Sequence, residues 1–228
     1  MNPKIMGMGG RTRGVLNALK KHPGVIDTQS YLRLEKQLGT QSSITFDVLN
    51  NQGAQTVNEK RLAITDSFVI TSLSILFYTY DTTVANSQEK TALQTFPDAN
   101  VFAGAGEADS LQGIYNGFLS VRVNSVVYID SLDIYRFYRV GVAQQGVETT
   151  TTPSSYLRSQ WSNGDYGFYG LTPTIELSGA TKNEITITLP SNISVAPAAN
   201  YKTFVVCYMR GLLRQNNAQF NPRAHSRG

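Results

Sequence analysis

The side chains of this sequence that could do chemistry are few, and their spacing excludes most of it. The two histidines, His22 and His225, lie one near each end of the 228 residues. No histidine-centred dyad or triad can then form inside a globular body, and no His-rich zinc cage exists. The single cysteine, Cys207, stands in the run Thr203-Phe204-Val205-Val206-Cys207-Tyr208-Met209. A lone thiol in an apolar run reads as a small core residue, and it excludes an intramolecular disulfide, in keeping with synthesis in a reducing cytoplasm. Carboxylates remain: glycoside hydrolysis would need two of Asp130, Asp133 and Asp165 facing each other across a groove at about 5–10 Å. Asp130-Ser131 and Asp133 read more simply as turn caps between strands.

Two glycine-rich stretches also fail as nucleotide motifs. Gly104-Ala105-Gly106-Glu107-Ala108-Asp109 has Asp109 where a dinucleotide fingerprint needs its third glycine, and no strand–helix–strand unit surrounds it. It reads instead as a loop entering a helix whose first turn carries Glu107 and Asp109 against the helix dipole. Met6-Gly7-Met8-Gly9-Gly10 lacks the Lys-Ser/Thr of a phosphate-binding loop. The expectation is a chain that is not an enzyme, with no catalytic residue, no cofactor and no metal site.

Recognition is better represented. Trp161, Asn163, Asp165, Tyr166, Phe168 and Tyr169 crowd into nine residues. Aromatic rings beside Asn and Asp can stack on sugars and bond their hydroxyls, and the same residue types are enriched in protein interfaces, which is the favoured reading here. Charge is distributed unevenly. Residues 1–26 carry Lys4, Arg11, Arg13, Lys20 and Lys21 with no acid, and residues 207–228 carry Arg210, Arg214, Arg223 and Arg227, again with none. Those nine groups exceed the net charge of +4, so the body between them is net negative. Basic ends on such a body serve to touch neighbouring subunits or nucleic acid. Nine cations are too few for a genome-condensing tail, because phosphate neutralisation scales with their number.

These groups must be held by a β-rich body. Arg11–His22 is a short basic helix closed by Pro23-Gly24, and Thr28–Leu38 reads as a second helix ended by Gly39, giving an arm over residues 1–40. From there the period changes to two. Strands are expected at 43–49, 61–65, 68–80, 118–123, 126–130, 134–142, 174–177, 184–189 and 202–213, with Asn124-Ser125 as a two-residue hairpin connection. Short helices fit Glu107–Tyr115 and Ser154–Trp161, and Thr149-Thr150-Thr151-Thr152-Pro153 reads as a solvated loop or a subunit-contact extension. With no βαβ rhythm and no repeat, this is a mainly β chain. An antiparallel β-sandwich, a single jelly roll over 41–213 with a basic tail at 214–228, fits best. No stretch approaches the roughly 18 apolar residues of a membrane span, and no secretory signal is expected.

The basic arm from Arg11-Thr12-Arg13 through Lys20-Lys21, followed by this body, resembles bacteriophage virion structural proteins. Arg61–Thr71 and Val127-Tyr128-Ile129-Asp130-Ser131-Leu132 are similar in style to phage capsid or capsid-associated sequences. The resemblance implies a self-assembling virion subunit, made in the host cytoplasm, whose partners are copies of itself and other virion proteins. Its arms would reach neighbours or the packaged nucleic acid. Two other functions stay open: a β-sandwich module binding a glycan receptor through Trp161–Tyr169, and a glycoside hydrolase using paired carboxylates.

Overall fold

In Asp27–Gln37, Leu32 and Leu34 alternate with Arg33 and Glu35, a period of two that a strand satisfies by sending both leucines to one side. The computed structural model, which describes residues 27–140 and 167–216, makes this segment strand β1. The helix expected over 28–38 is therefore corrected. All eleven residues of β1 pair with the last long strand, from Asp27 opposite Arg214 to Gln37 opposite Phe204. That ladder and the burial of both leucines outweigh the helical propensity of a stretch containing Leu, Arg, Glu and Lys.

The remaining strands are β2 (Thr40–Phe46), β3 (Ser67–Asp81), β4 (Phe118–Val123), β5 (Val126–Asp133), β6 (Tyr169–Ser178), β7 (Asn183–Ser194) and β8 (Tyr201–Arg214). Asn124, with φ 55°, turns β4 into β5 across the expected two-residue connection. The expected strand at 61–65 reduces to bridges, Arg33 with Lys60 and Leu49 with Leu62. The expected strand from Ile134 is instead a 3₁₀ turn, Ile134–Phe137, because the Asp133 carboxylate accepts the Tyr135 N–H at 3.0 Å and turns the chain. Asp133 thus caps a turn, as its position implied.

The strands form two four-stranded antiparallel sheets, β1-β8-β3-β6 and β2-β7-β4-β5. The pairs β1·β8, β2·β7, β3·β6 and β4·β5 are those of one long hairpin rolled upon itself, and β8·β3 and β7·β4 seal the roll. This is a single jelly roll, an antiparallel β-sandwich. Between the sheets lie Leu32, Leu34, Ile44, Phe46, Ile75, Phe77, Leu119, Val121, Ile185, Ile187, Val205, Cys207 and Met209, all buried. Each large apolar side chain there contributes about 1.5–3 kcal/mol. A smaller cluster, Leu76, Tyr78, Phe204 and Val206, sits apart from that core, with Leu93 packed against it. Tyr78 also accepts from Gln88 of the short helix α1 (Ser87–Lys90) at 2.9 Å.

Helix α2 (Glu107–Ile114) matches its expected position, but Glu107 is buried rather than merely facing a dipole. Its carboxylate accepts the Gly104 N–H at 2.9 Å and the Thr203 hydroxyl, pinning the β3–β4 connection to β8. Asp27 and Ser67 both oppose Arg214, and Ser178 opposes Ser67. The chain therefore enters and leaves the sandwich on neighbouring strands at one end. Arg139 and Gly167, on either side of residues 141–166, both lie beside Thr95. Arg139 donates its N–H to the Thr95 carbonyl at 3.2 Å, and a Cβ on Gly167 would lie 2.9 Å from the Thr95 side chain.

Strand β8 can approach β3 only because Gly211 has no side chain: a Cβ there would meet the Val69 carbonyl oxygen at 1.8 Å. Gly211→Ala is expected to cost about 2–3 kcal/mol, read from urea denaturation, since backbone on both sides must move. An unchanged midpoint would contradict this register.

Candidate functional site

Two of the expected arm residues, Arg210 and Arg214, belong to the sandwich rather than to a tail. Arg214 is almost fully buried at the end of β8. Its guanidinium donates to Asp27 at 3.0 Å and to Glu176 at 3.3 Å, and Glu176 also accepts the Ser67 hydroxyl at 2.9 Å. Arg214 is thereby corrected from a contact group on a basic tail to an internal tie joining β1, β8, β3 and β6. A buried guanidinium is tolerated because carboxylates meet it on both sides. Lys4, Arg11, Arg13, Lys20, Lys21, Arg223 and Arg227 lie outside the described residues. They belong to segments that join the sandwich at Asp27 and Asn216, beside this tie.

Arg210 has a different setting. Alternate residues of β1 and β8 point away from the sandwich core, and the register sets Tyr31 opposite Arg210 and Arg33 opposite Tyr208. Rings and guanidinium groups thus alternate in both directions. Tyr31 stacks on Tyr208 with centroids 5.3 Å apart, Lys60 sits 4.4 Å over the Tyr31 ring, and Phe168 meets Tyr208 edge-on at 5.6 Å. The Arg210 guanidinium lies 3.6 Å from the Phe168 centroid. The result is a continuous array, Lys60, Tyr31, Tyr208, Phe168 and Arg210, with a cation at each end. Burial, helped by the Tyr31 phenol, raises the Tyr208 phenol above its usual range, while Arg210 and Arg33 pull it down. In the Arg33–Tyr208 row, Ser74 opposes Tyr208 from β3. Arg33 Nη2 and Ser74 Oγ are both buried without a hydrogen-bond partner.

The aromatic group expected at 161–169 is divided. Trp161, Asn163, Asp165 and Tyr166 lie outside the described residues, as do Thr149–Pro153 and the helix at 154–161. Phe168, just before β6, and Tyr169, its first residue, meet different partners. Phe168 joins the cation-ringed array, whereas Tyr169 packs edge-on against Phe137 at 6.4 Å under Arg136. Among the described residues, Phe168 and Arg210, named separately in the sequence, come together.

A loop between β2 and β3 holds Lys60 against the array. Glu35 on β1 accepts from Arg33 at 2.6 Å, Thr56 at 2.5 Å and Tyr78 at 2.6 Å. Glu59 accepts two bonds from Arg61, at 3.0 and 2.8 Å, and the backbone N–H groups of Glu35 and Thr56. Arg61 also donates to the carbonyls of Gln52 and Ala54. Both carboxylates have fully buried side chains and Arg61 is 2% exposed there, so the charges depend on one another. Sequence reasoning missed Tyr31, Arg33, Glu35 and Lys60 because it placed them on a helix and a coil. The alternation of Tyr31, Arg33 and Glu35 with Leu32 and Leu34 was the available signal. Breaking this network by Arg61→Ala strands Glu59, and the expected loss is about 3–5 kcal/mol in chemical denaturation. A loss below 1 kcal/mol would show that the loop is not held this way.

Cys207 lies within the core, and burial pushes its thiol up to about 12. The native protein should leave a thiol reagent unreacted at pH 8 and take up label only when denatured; stoichiometric native labelling would contradict that burial. Asp130 and Asp133 are exposed on β5. Among the described residues no group of three His, Cys, Asp or Glu could hold a metal, and no helix is long and apolar enough to cross a membrane. No protein-family model, curated protein or solved structure matches this chain.

Proposed function

We propose that this chain is a non-enzymatic virion structural protein, a self-assembling shell or shell-associated subunit of a bacteriophage. One observation carries the reading: in a single jelly roll, the two cation-rich terminal segments join the sandwich at neighbouring strand ends, where Asp27 opposes Arg214. Residues 1–26 and 217–228 together hold seven Lys and Arg and no acid. A concentration of cations with no acid among them suits contact with anionic surfaces outside the fold.

The body supplies surfaces suited to lateral contact. Strand β5 is a sheet edge carrying exposed Val127 and Tyr128, and Phe118 stands exposed on β4 beside it. Free edges with apolar side chains are where chains pair with other chains. The reading also fits a single buried thiol made in a reducing host cytoplasm. The glycan-binding alternative has less support, because Phe168 and Tyr169 meet different partners.

Light scattering and electron microscopy on full-length protein beside a form lacking residues 1–26 test the proposal. Large symmetric assemblies, lost or reduced in size without the segment, are expected. A monodisperse monomer in both preparations at every concentration and salt would overturn it.

A further inference from the structure

We infer that the half-buried array centred on β1 and β8, with Tyr31 at its exposed end, is a binding face for single-stranded nucleic acid. This deepens the virion reading by naming a contact that lies in the sandwich itself, separate from the terminal segments. The face carries three cations, Arg33, Lys60 and Arg210, interleaved with Tyr31, Tyr208 and Phe168. Glu35, two positions from Arg33 on the same strand, is buried with both carboxylate oxygens already engaged. Arg33 and Glu35 offset one another as an ion pair, so Lys60 and Arg210 at the two ends leave the face net positive, and the complementary partner is an anion.

The aromatic content decides which anion. A free phosphate or a duplex needs only cations, whereas rings alternating with cations match a strand whose bases are unstacked and whose phosphates repeat. Tyr31 is 40% exposed and forms the outer end of the Tyr31–Tyr208 stack. Lys60 covers its free face through a contact that is weak at an exposed site. An arriving base can displace that ammonium, stack on Tyr31 and leave Lys60 to pair with the adjoining phosphate. At the other end the Arg210 guanidinium, lying on Phe168, offers a planar surface for a second base.

Position also favours a polyanion over a protein partner. The face is built from the two strands whose outer ends connect to the cationic terminal segments, with Tyr31 only four residues beyond Asp27 and Arg210 four before Arg214.

Binding of fluorescein-labelled dT20 to the full chain, followed by anisotropy over a range of salt, tests the inference. Tyr31→Ala is the central variant because it leaves the charge unchanged and alters an exposed side chain. It should weaken dT20 binding roughly five- to hundredfold, Tyr31→Phe should restore it, and Arg210→Ala should both weaken binding and flatten the salt dependence. A duplex of equal length should compete poorly. Tyr31→Ala binding like the wild type, equal competition by duplex, or no binding of dT20 even at low salt would each overturn the inference. Light scattering on the same samples separates the two proposals: assemblies that form normally while dT20 ignores Tyr31 refute this face alone, and a monomeric chain that binds dT20 through Tyr31 refutes only the assembly.

Discussion

The pairing of β1 with β8 is the constraint on which the other features depend. Eleven residues from the start of the described chain lie antiparallel to its last long strand. Joining the first and last strands closes the roll, and it does so across a sequence separation approaching the whole chain, a large loop-closure cost that local contacts cannot offset. Leu32 and Leu34 supply the compensating burial against the second sheet, while Arg214 ties the open end of the pair to Asp27 and Glu176. Without this ladder the two cationic segments would leave the body at unrelated places, and Tyr31 would not meet Tyr208.

The same pairing explains why charged groups tolerate burial on one side of the sheet. Glu35 and Arg33 face away from the main core, yet the β2–β3 loop closes over them with Glu59 and Arg61. Every carboxylate oxygen in that network has a donor, so burial strengthens the bonds instead of stranding charge. A loop fastened in this way fixes Lys60 at the edge of β1, through the Arg33–Lys60 bridge, and thus fixes one end of the aromatic array. Stability and the binding surface share residues here.

Much of the fold was legible in the sequence. The hairpin at Asn124-Ser125, the helix from Glu107, the long strands of 68–80 and 202–213 and the sandwich class all follow from local period and turn chemistry, which act within a few residues. The failures share a cause. Thr28–Leu38 has good helix formers, and only its partner on β8 makes it a strand. Ile134 begins an apolar run that reads as a strand, but one bond from Asp133 to Tyr135 turns it. Arg214 looked like part of a tail because its carboxylates, Asp27 and Glu176, are distant in sequence. Phe168 and Tyr169 are adjacent in sequence, yet Phe168 meets Tyr208 and Arg210 while Tyr169 meets Phe137, partners that sequence proximity does not reveal. Strand order, and hence the jelly roll, rests on long-range pairing that periodicity does not encode.

The measurement that bears most directly on this account is a cross-link between the first and last strands. Thr28 and Leu213 are register partners, and opposed residues in an antiparallel pair stand about 4.5–5.5 Å apart, within reach of a disulfide. Thr28→Cys combined with Leu213→Cys should oxidise to a bond within one chain, seen as faster migration on non-reducing gels and a compact denatured form. Failure to cross-link, or bonds formed only between chains, would mean that the terminal segments do not share a corner, and the case for both proposed surfaces would fall with it.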